Sequence, residues 1–329
     1  MISDFNVKNG PIEINTIKKT VQCEIFGIDP NTKYNHISSI DSNKYGSGDT
    51  IYFLYENYND HDSLNKDSTF VVSKNQKEKF SKFNNLIIVN DVQASIAKLS
   101  GIFYREINEF DHDALNDTKI GNNCKIASSA IIKKGCLIGD NSVIKDGVVI
   151  DYNCKLGNNV LIEENSIISN SILGDSVRIG RNTCLGQRGF GFAIDQTKNQ
   201  DIFHIGRVIV QSNVSIGSNC CVDRGSFGDT IIGENTYFDN MCHIAHNVCV
   251  GRNSIFAGMC GIAGSSIIGD NVMAGGQVGI SGHIKIGNNV RIAAKSAVFK
   301  NVIDNSSVMG NPAIDKFKYL KNYLKIYEK

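Results

Sequence analysis

Aliphatic residues recur at every sixth position along most of this chain. They stand at Ile120, Ile126, Ile132, Ile138, Ile144, Ile150, Leu156, Ile162 and Ile168, and after a one-residue slip at Leu173, Ile179 and Leu185. A short run holds Val210, Ile216 and Val222. A long one holds Ile232, Phe238, Ile244, Val250, Phe256, Ile262, Ile268, Ala274, Ile280, Ile286, Ile292 and Val298. A period of six does not suit an α-helix, whose 3.6 residues per turn would scatter these positions around the axis. It suits short strands joined by tight turns, because the following residue is often small, as at Gly121, Ala127 and Gly139. Three hexads then close a triangular coil of 18 residues. Coils stacked about 4.8 Å apart pair through their backbones, and nine of them predict a β-helix about 40 Å tall. One coil cannot bury its own apolar side, so stability has to come from stacking.

Two interruptions break the ladder. The segment between Leu185 and Val210 carries Gly189-Phe190-Gly191-Phe192 and His204 and is expected to project as a loop. The shorter one, between Val222 and Ile232, adds four residues within DRGSFGDTI. Loops on a rigid scaffold are frequent carriers of function. Outside the ladder the pattern changes. Strand-like runs at Ile51–Tyr55, Thr69–Val72 and Leu86–Val89 and a helix-like stretch at Val92–Leu99 predict a small α/β domain over 1–112. The polar Asp111–Asp117 links it to the β-helix domain, 113–302. In the extension, 303–329, Ile314, Phe317, Leu320, Leu324 and Tyr327 follow helical spacing. That helix also carries Lys316, Lys318, Lys321, Lys325 and Lys329, so it can cap the helix end, dock an acidic partner, or do both.

Composition narrows the function. With 34 Lys+Arg against 33 Asp+Glu, nothing global points to nucleic acid or to an anionic membrane. No apolar run approaches the roughly 18 residues of a membrane span, and MISDFNVKNG lacks the regions of a secretion signal, so a cytoplasmic protein is expected. The three prolines, Pro11, Pro30 and Pro312, all avoid the ladder, where a missing N–H would break pairing. Of ten cysteines, Cys124, Cys136, Cys154, Cys220, Cys242 and Cys260 lie two residues before a repeat aliphatic. Ser142 and Ser266 share that position, which marks a small buried corner rather than a disulfide framework or a metal site.

The coil period also places chemistry. Gly264 is 18 residues after His246, one coil directly above it, and His283 is 37 residues after it, two coils plus one. Strand spacing puts the two histidines about 10 Å apart on one face. Asp239 and Asn240 sit one corner earlier in the coil of His246. A histidine can act as general base near neutral pH, and a glycine lets a backbone N–H approach an oxyanion. Acyl transfer needs little more than these and good positioning. The rival is zinc held by His243, His246 and His283, but His243 and His246 straddle a corner instead of facing together. No metal is expected.

At these residues the chain resembles the UDP-3-O-(3-hydroxyacyl)glucosamine N-acyltransferases of lipid A biosynthesis. The likeness is densest from Gly189 to His283, in GFGFA, HIGRVIV, CVDRGSFGDTIIG, DNMCHIAHN and GISGHIKIG. The resemblance implies a left-handed parallel β-helix, a homotrimer and active sites between neighbouring subunits. It implies a 3-hydroxyacyl donor on the 4'-phosphopantetheine of acyl carrier protein, with no other cofactor. The acceptor is the 2-amine of a UDP-3-O-acylglucosamine. His246 then matches the general base, His283 a substrate-contacting histidine, and Gly264 the N–H that faces the thioester oxygen. Asp239 and Asn240 match polar groups of the reaction chamber. Lys300 stands where the family often carries Arg. Ala297 stands where larger residues limit the acyl groove, and a small residue there is expected to admit a longer chain. The basic terminal helix matches an element that docks the carrier protein. The family's uracil motif, F-x-x-N-x-x-Y, aligns with Phe53, Asn57 and Tyr58 only with Asn57 one place late and Tyr58 one place early. Two alternatives remain. One is the O-acyltransferase that acts on UDP-N-acetylglucosamine, against which the long N-terminal domain and short tail speak. The other is a non-catalytic β-helix scaffold, against which the His246/Gly264/His283 column speaks.

Overall fold

The computed structural model describes residues 5–40, 48–54, 64–194 and 199–327, which fall into two compact units. The first comprises Met1–Ile107, Phe190–Ile205 and Ser226–Gly228. Its five-stranded sheet runs in the order Glu24–Phe26, Asn85–Val89, Thr69–Ser73, Thr50–Phe53, His36–Ser39. The first pair is antiparallel and the rest are parallel. Alternation along the strands sorts the core. Ile51, Phe53, Val71, Ile87 and Val89 face helices α1 (Ile14–Val21) and α2 (Val92–Phe103), while Tyr52, Phe70, Val72 and Ile88 join a second cluster with Phe80 and Phe83. The α2 terminus is closed by Asp91, whose carboxylate accepts from the Ala94 N–H. The two interrupting segments of the ladder contribute Ala193, Ile202, Ile205 and Phe227 to this core. The longer segment is anchored in the first unit through Ala193, Ile202 and Ile205, while its Phe190 and Ile194 stay exposed.

The second unit is a left-handed parallel β-helix: the repeat predicts its coils and the family resemblance implies its hand. Nine coils place their strands in three sheets. The first face runs from Lys119–Ile120 to Lys285–Ile286, the second from Lys125–Ile126 to Arg291–Ile292, and the third from Ile131–Ile132 to Ala297–Val298. Strands stack in register with the hexad aliphatics, Ile244 under Ile262 under Ile280. The one-residue slip is a 17-residue coil that pairs Lys155–Leu156 with Ile172–Leu173. Inside, Phe238 and Phe256 stack with centroids 4.6 Å apart, and the smaller Ala274 stands above Phe256. A further strand, Ser307–Met309, lies on Arg291–Ile292 and leads to helix α3 (Lys316–Tyr327). The α3 stripe of Phe317, Leu320, Tyr323 and Leu324 stays exposed in the single chain. None of the described helices is long and apolar enough to cross a membrane.

Two regularities build the corners. The second corner residue is held near φ 60°, most often by Asn, as at Asn141, Asn159, Asn213, Asn235, Asn253, Asn271 and Asn289. Asn tolerates this left-handed conformation better than most residues. Just inside the corner a Ser, Thr or Cys donates to a carbonyl one coil up. Ser142 Oγ reaches Gly157 O at 3.3 Å, Thr236 Oγ1 reaches Gly251 O at 2.8 Å, and Cys136 Sγ reaches Asp151 O at 3.1 Å. The corner cysteines are thus donors as well as small fillers. Burial pushes the Cys136 thiol up to about 11, which keeps it protonated and inert.

Candidate active site

His246 occupies the first position of the corner between the third and first faces, after Ile244 and Ala245. Asn247, next in line at φ 60°, brings its Oδ1 to 3.1 Å from His246 Nδ1. With the carboxamide oxygen accepting the Nδ1 proton, Nε2 carries the lone pair a base needs. The ring lies against Gly264 of the coil above. A Cβ on that residue would stand 2.8 Å from both Cε1 and Nε2, so only glycine leaves room for the imidazole.

The backbone at this corner matters equally. Ser265 N–H donates to His246 O at 3.0 Å and His283 N–H to Gly264 O at 3.1 Å. The ladder is thus closed through the second corner residues. The Gly264 N–H has no acceptor among the described residues and remains available beside the imidazole. His283 is exposed at φ 58°, one coil above Ser265, in the left-handed position that other coils give to Asn. Gly282 and Lys300 continue the line of His246 and Gly264 at successive coil intervals. The column read from the 18-residue period is therefore present, with His283 offset by one residue.

Asp239 and Asn240 belong to a different corner, between the second and third faces. Asp239 Oδ2 would approach a Cβ on Gly258 at 3.3 Å, and Asn240 is tied to Asp239 Oδ1 at 3.0 Å and to Ser218 N–H at 2.8 Å. They open onto a hollow of about 460 Å³ over Gly258 and Gly276, walled by Met241, Met259 and Lys295. In this hollow Met241, Met259, Gln277 and Lys295 hold the φ 60° position where Asn is the usual choice. Ala297 stands on the outer side of the third face directly above Gly279.

The expectation for the uracil motif is corrected at one residue. Phe53 is wholly buried in a central strand, its ring 5.8 Å from that of Phe227, so it presents no face on which a base could stack. Asn57 and Tyr58 lie outside the described residues.

A second polar cluster was not anticipated. Asp223, 4% exposed, receives Gln187 Nε2 at 2.9 Å on one carboxylate oxygen and lies 3.1 Å from His243 Nε2 on the other. This hydrogen bond raises the His243 pKa above its ordinary value, against the opposing effect of burial. Asp223 opens the D-R-G triplet, and the other two residues staple the interruptions. Buried Arg224 donates through Nε to Gly206 O at 2.7 Å, and Gly206 N–H donates to Gly225 O at 3.0 Å. Arg207 grips Asp229 through Nε and Nη2 at 3.1 and 2.7 Å. A register count would have found the cluster, since His243 is 22 residues past Cys221: one coil plus the four inserted residues. Among the described residues no three His, Cys, Asp or Glu side chains converge as metal ligands would.

Coils of this register with such corners define a hexapeptide-repeat β-helix protein, and the bacterial transferase hexapeptide (six repeats) pattern matches residues 117–151. The sequence is similar to proteins named UDP-3-O-acylglucosamine N-acyltransferase. That of Caulobacter vibrioides (strain NA1000 / CB15N) is 55% identical over 64 residues, 20% of this chain and 19% of that protein. That of Leptospira biflexa serovar Patoc is 47% identical over 66 residues, again 20% and 19%. The chain thus spans about a fifth of the length of the curated relatives it matches. Among solved structures, a UDP-N-acetylglucosamine acyltransferase from Campylobacter jejuni superposes with a TM-score of 0.53 at 29% identity, over 58% of this chain and 74% of that one.

Proposed function

We propose that the chain is a cytoplasmic, acyl-carrier-protein-dependent N-acyltransferase of lipid A biosynthesis. It moves a (3R)-3-hydroxyacyl group from the 4'-phosphopantetheine of acyl carrier protein onto the 2-amine of UDP-3-O-(3-hydroxyacyl)glucosamine. The observation that carries this reading is the His246 imidazole seated on Gly264 beside an open N–H. Base and oxyanion donor stand one coil apart, where an attacking amine and a thioester carbonyl need them. In this reading His246 Nε2 takes the amine proton as nitrogen attacks. The Gly264 N–H stabilises the oxyanion, and collapse expels the thiol without a covalent enzyme intermediate. His283 and Lys300 contact substrate, and Ala297 borders the acyl chain.

The separation of Asp239 and Asn240 from His246 fits a homotrimer, in which one subunit's second-to-third corner meets the His246 corner of its neighbour. The unburied stripe and lysines of α3 suit carrier-protein docking. The test is to incubate the protein with 3-hydroxyacyl carrier protein and either UDP-3-O-acylglucosamine or UDP-N-acetylglucosamine. Amide formed only from the first is expected. Ester on the second would make the chain an O-acyltransferase, and no product from either would leave a scaffold. His246→Ala should abolish turnover in a protein that keeps its native size and circular dichroism.

A further inference from the structure

Thioester aminolysis requires two proton movements, and the column of His246 and Gly264 accounts for one. The amine must lose a proton to a base, and the departing sulfur must gain one. A proton delivered to the sulfur as the carbon–sulfur bond breaks speeds expulsion of an alkyl thiolate by general acid catalysis.

Resting on the acyltransferase reading above, we propose that His243, held by Asp223 and Gln187, is the general acid that protonates the departing pantetheine sulfur. The orientation of the ring supports this. Asp223 is buried and anchored by Gln187, and it takes Nε2 of His243 at 3.1 Å. The ring is thereby fixed and Nδ1 is left as the working nitrogen. The His243 side chain is 55% exposed, so Nδ1 can reach a ligand. A carboxylate behind one ring nitrogen is the usual means of setting the tautomer and stabilising an imidazolium. His243 begins the third-face strand that leads to the corner at His246, and three residues span at most about 10 Å. A thioester laid across that corner is therefore within reach of both rings, one on either side of it. The strand below presents Asp223 and Cys221 to the ring, and the strand above presents only Gly261, so Asp223 is the charge that governs it. The two histidines are differently partnered, one by a carboxamide and the other by a carboxylate. Such a difference is how two like groups divide into base and acid.

The step balances. Nitrogen forms its bond to the acyl carbon and its proton passes to His246 Nε2. The carbon–sulfur bond breaks and its electron pair takes the proton of His243 Nδ1. Solvent exchange returns His246 to neutral and His243 to its cationic form.

The test varies the leaving group. Wild type and His243→Gln are compared with the same 3-hydroxyacyl group on pantetheine and on thionitrobenzoate, whose thiolate leaves without protonation. The expected result is a loss of roughly 100-fold with the pantetheine thioester and near-parity with the aryl thioester. With carrier-protein donor, the alkaline limb of the kcat/KM profile should vanish in His243→Gln and move to lower pH in Asp223→Asn, which removes the charge that favours the imidazolium. An equal loss on both donors, or no loss with pantetheine, overturns the assignment while leaving the acyltransferase reading standing. Absence of amide product from wild type with every donor sinks both.

Discussion

Replacing Gly264 by alanine isolates the feature on which the functional reading depends. The new Cβ would stand 2.8 Å from Cε1 and Nε2 of His246 and 3.3 Å from Cδ2. Non-bonded carbons settle near 3.5–4.0 Å, so the ring has to retreat by about 1 Å. The backbone N–H is untouched, as is the ladder bond from His283 N–H to Gly264 O. The substitution therefore displaces the base and leaves the oxyanion donor in place. A shift of about 1 Å at a reacting group costs on the order of 100-fold in rate, or about 2.7 kcal/mol of barrier. Stability should barely change. Gly264 does not use a left-handed φ, so alanine also restricts the unfolded chain, a gain of about 0.4–1 kcal/mol that offsets the crowding of a half-buried ring. The assay pairs initial rates of amide formation with thermal melting. Activity should drop about 100-fold while the melting temperature stays within about 2 °C. A rate within about twofold of wild type would show that the ring's seat on Gly264 is immaterial. A rate that falls in step with a falling melting temperature would make the seat merely structural.

His283→Asn puts the preferred left-handed residue at φ 58° and removes the imidazole, so turnover should fall at least about tenfold with no loss of melting temperature; a drop in both would mark the histidine as a fold element. Ala297→Met adds bulk above Gly279, and competition among donors of graded length should show a shorter preferred acyl chain, an unchanged preference ruling out Ala297 as a length gauge. Gly101→Ala fills empty space within α2 and should raise stability by about 0.5–1 kcal/mol in denaturant titrations at unaltered activity. Because Asp223 raises the folded pKa of His243, the stabilisation from the charged ring is complete below the unfolded value of about 6.5 and fades as pH climbs through the higher folded value. The melting difference between wild type and His243→Gln should shrink over that window, and a pH-independent difference would contradict the ion pair.

Where side chains obey the coil period, the sequence was a sufficient guide. Spacing alone stacks Ile244 on Ile262 and His246 on Gly264, and even the slip before Leu173 is readable as a shortened coil. The reading failed where the period lapses. Helix α1 went unpredicted because Ile14, Thr16, Ile17, Thr20 and Val21 are β-branched and favour strand, although Ile14, Ile17 and Val21 mark its buried side. Phe53 could be taken for a ligand platform because an aromatic in an apolar run gives no sign of which way the sheet turns it. The Asp223–His243 pair was hidden by the four inserted residues, which shift the register by which contacts between coils are counted. Spacing marks the corner cysteines as small residues, buried at all but the partly exposed Cys124, but their donation to carbonyls one coil up depends on backbone direction, which no spacing encodes.

Both interruptions leave the β-helix at the corner between the third and first faces and return to it, from Gln187 to Val208 and from Asp223 to Thr230. This preserves rotational phase. Six extra residues wound into a coil would turn everything above by one face and carry His246 round to a different side, whereas residues looped out at a corner turn nothing. The chain can therefore vary freely in what it adds there and only in whole coils elsewhere. Length along the axis is a stepped quantity, and the angular position of the candidate site is insulated from what is inserted beneath it.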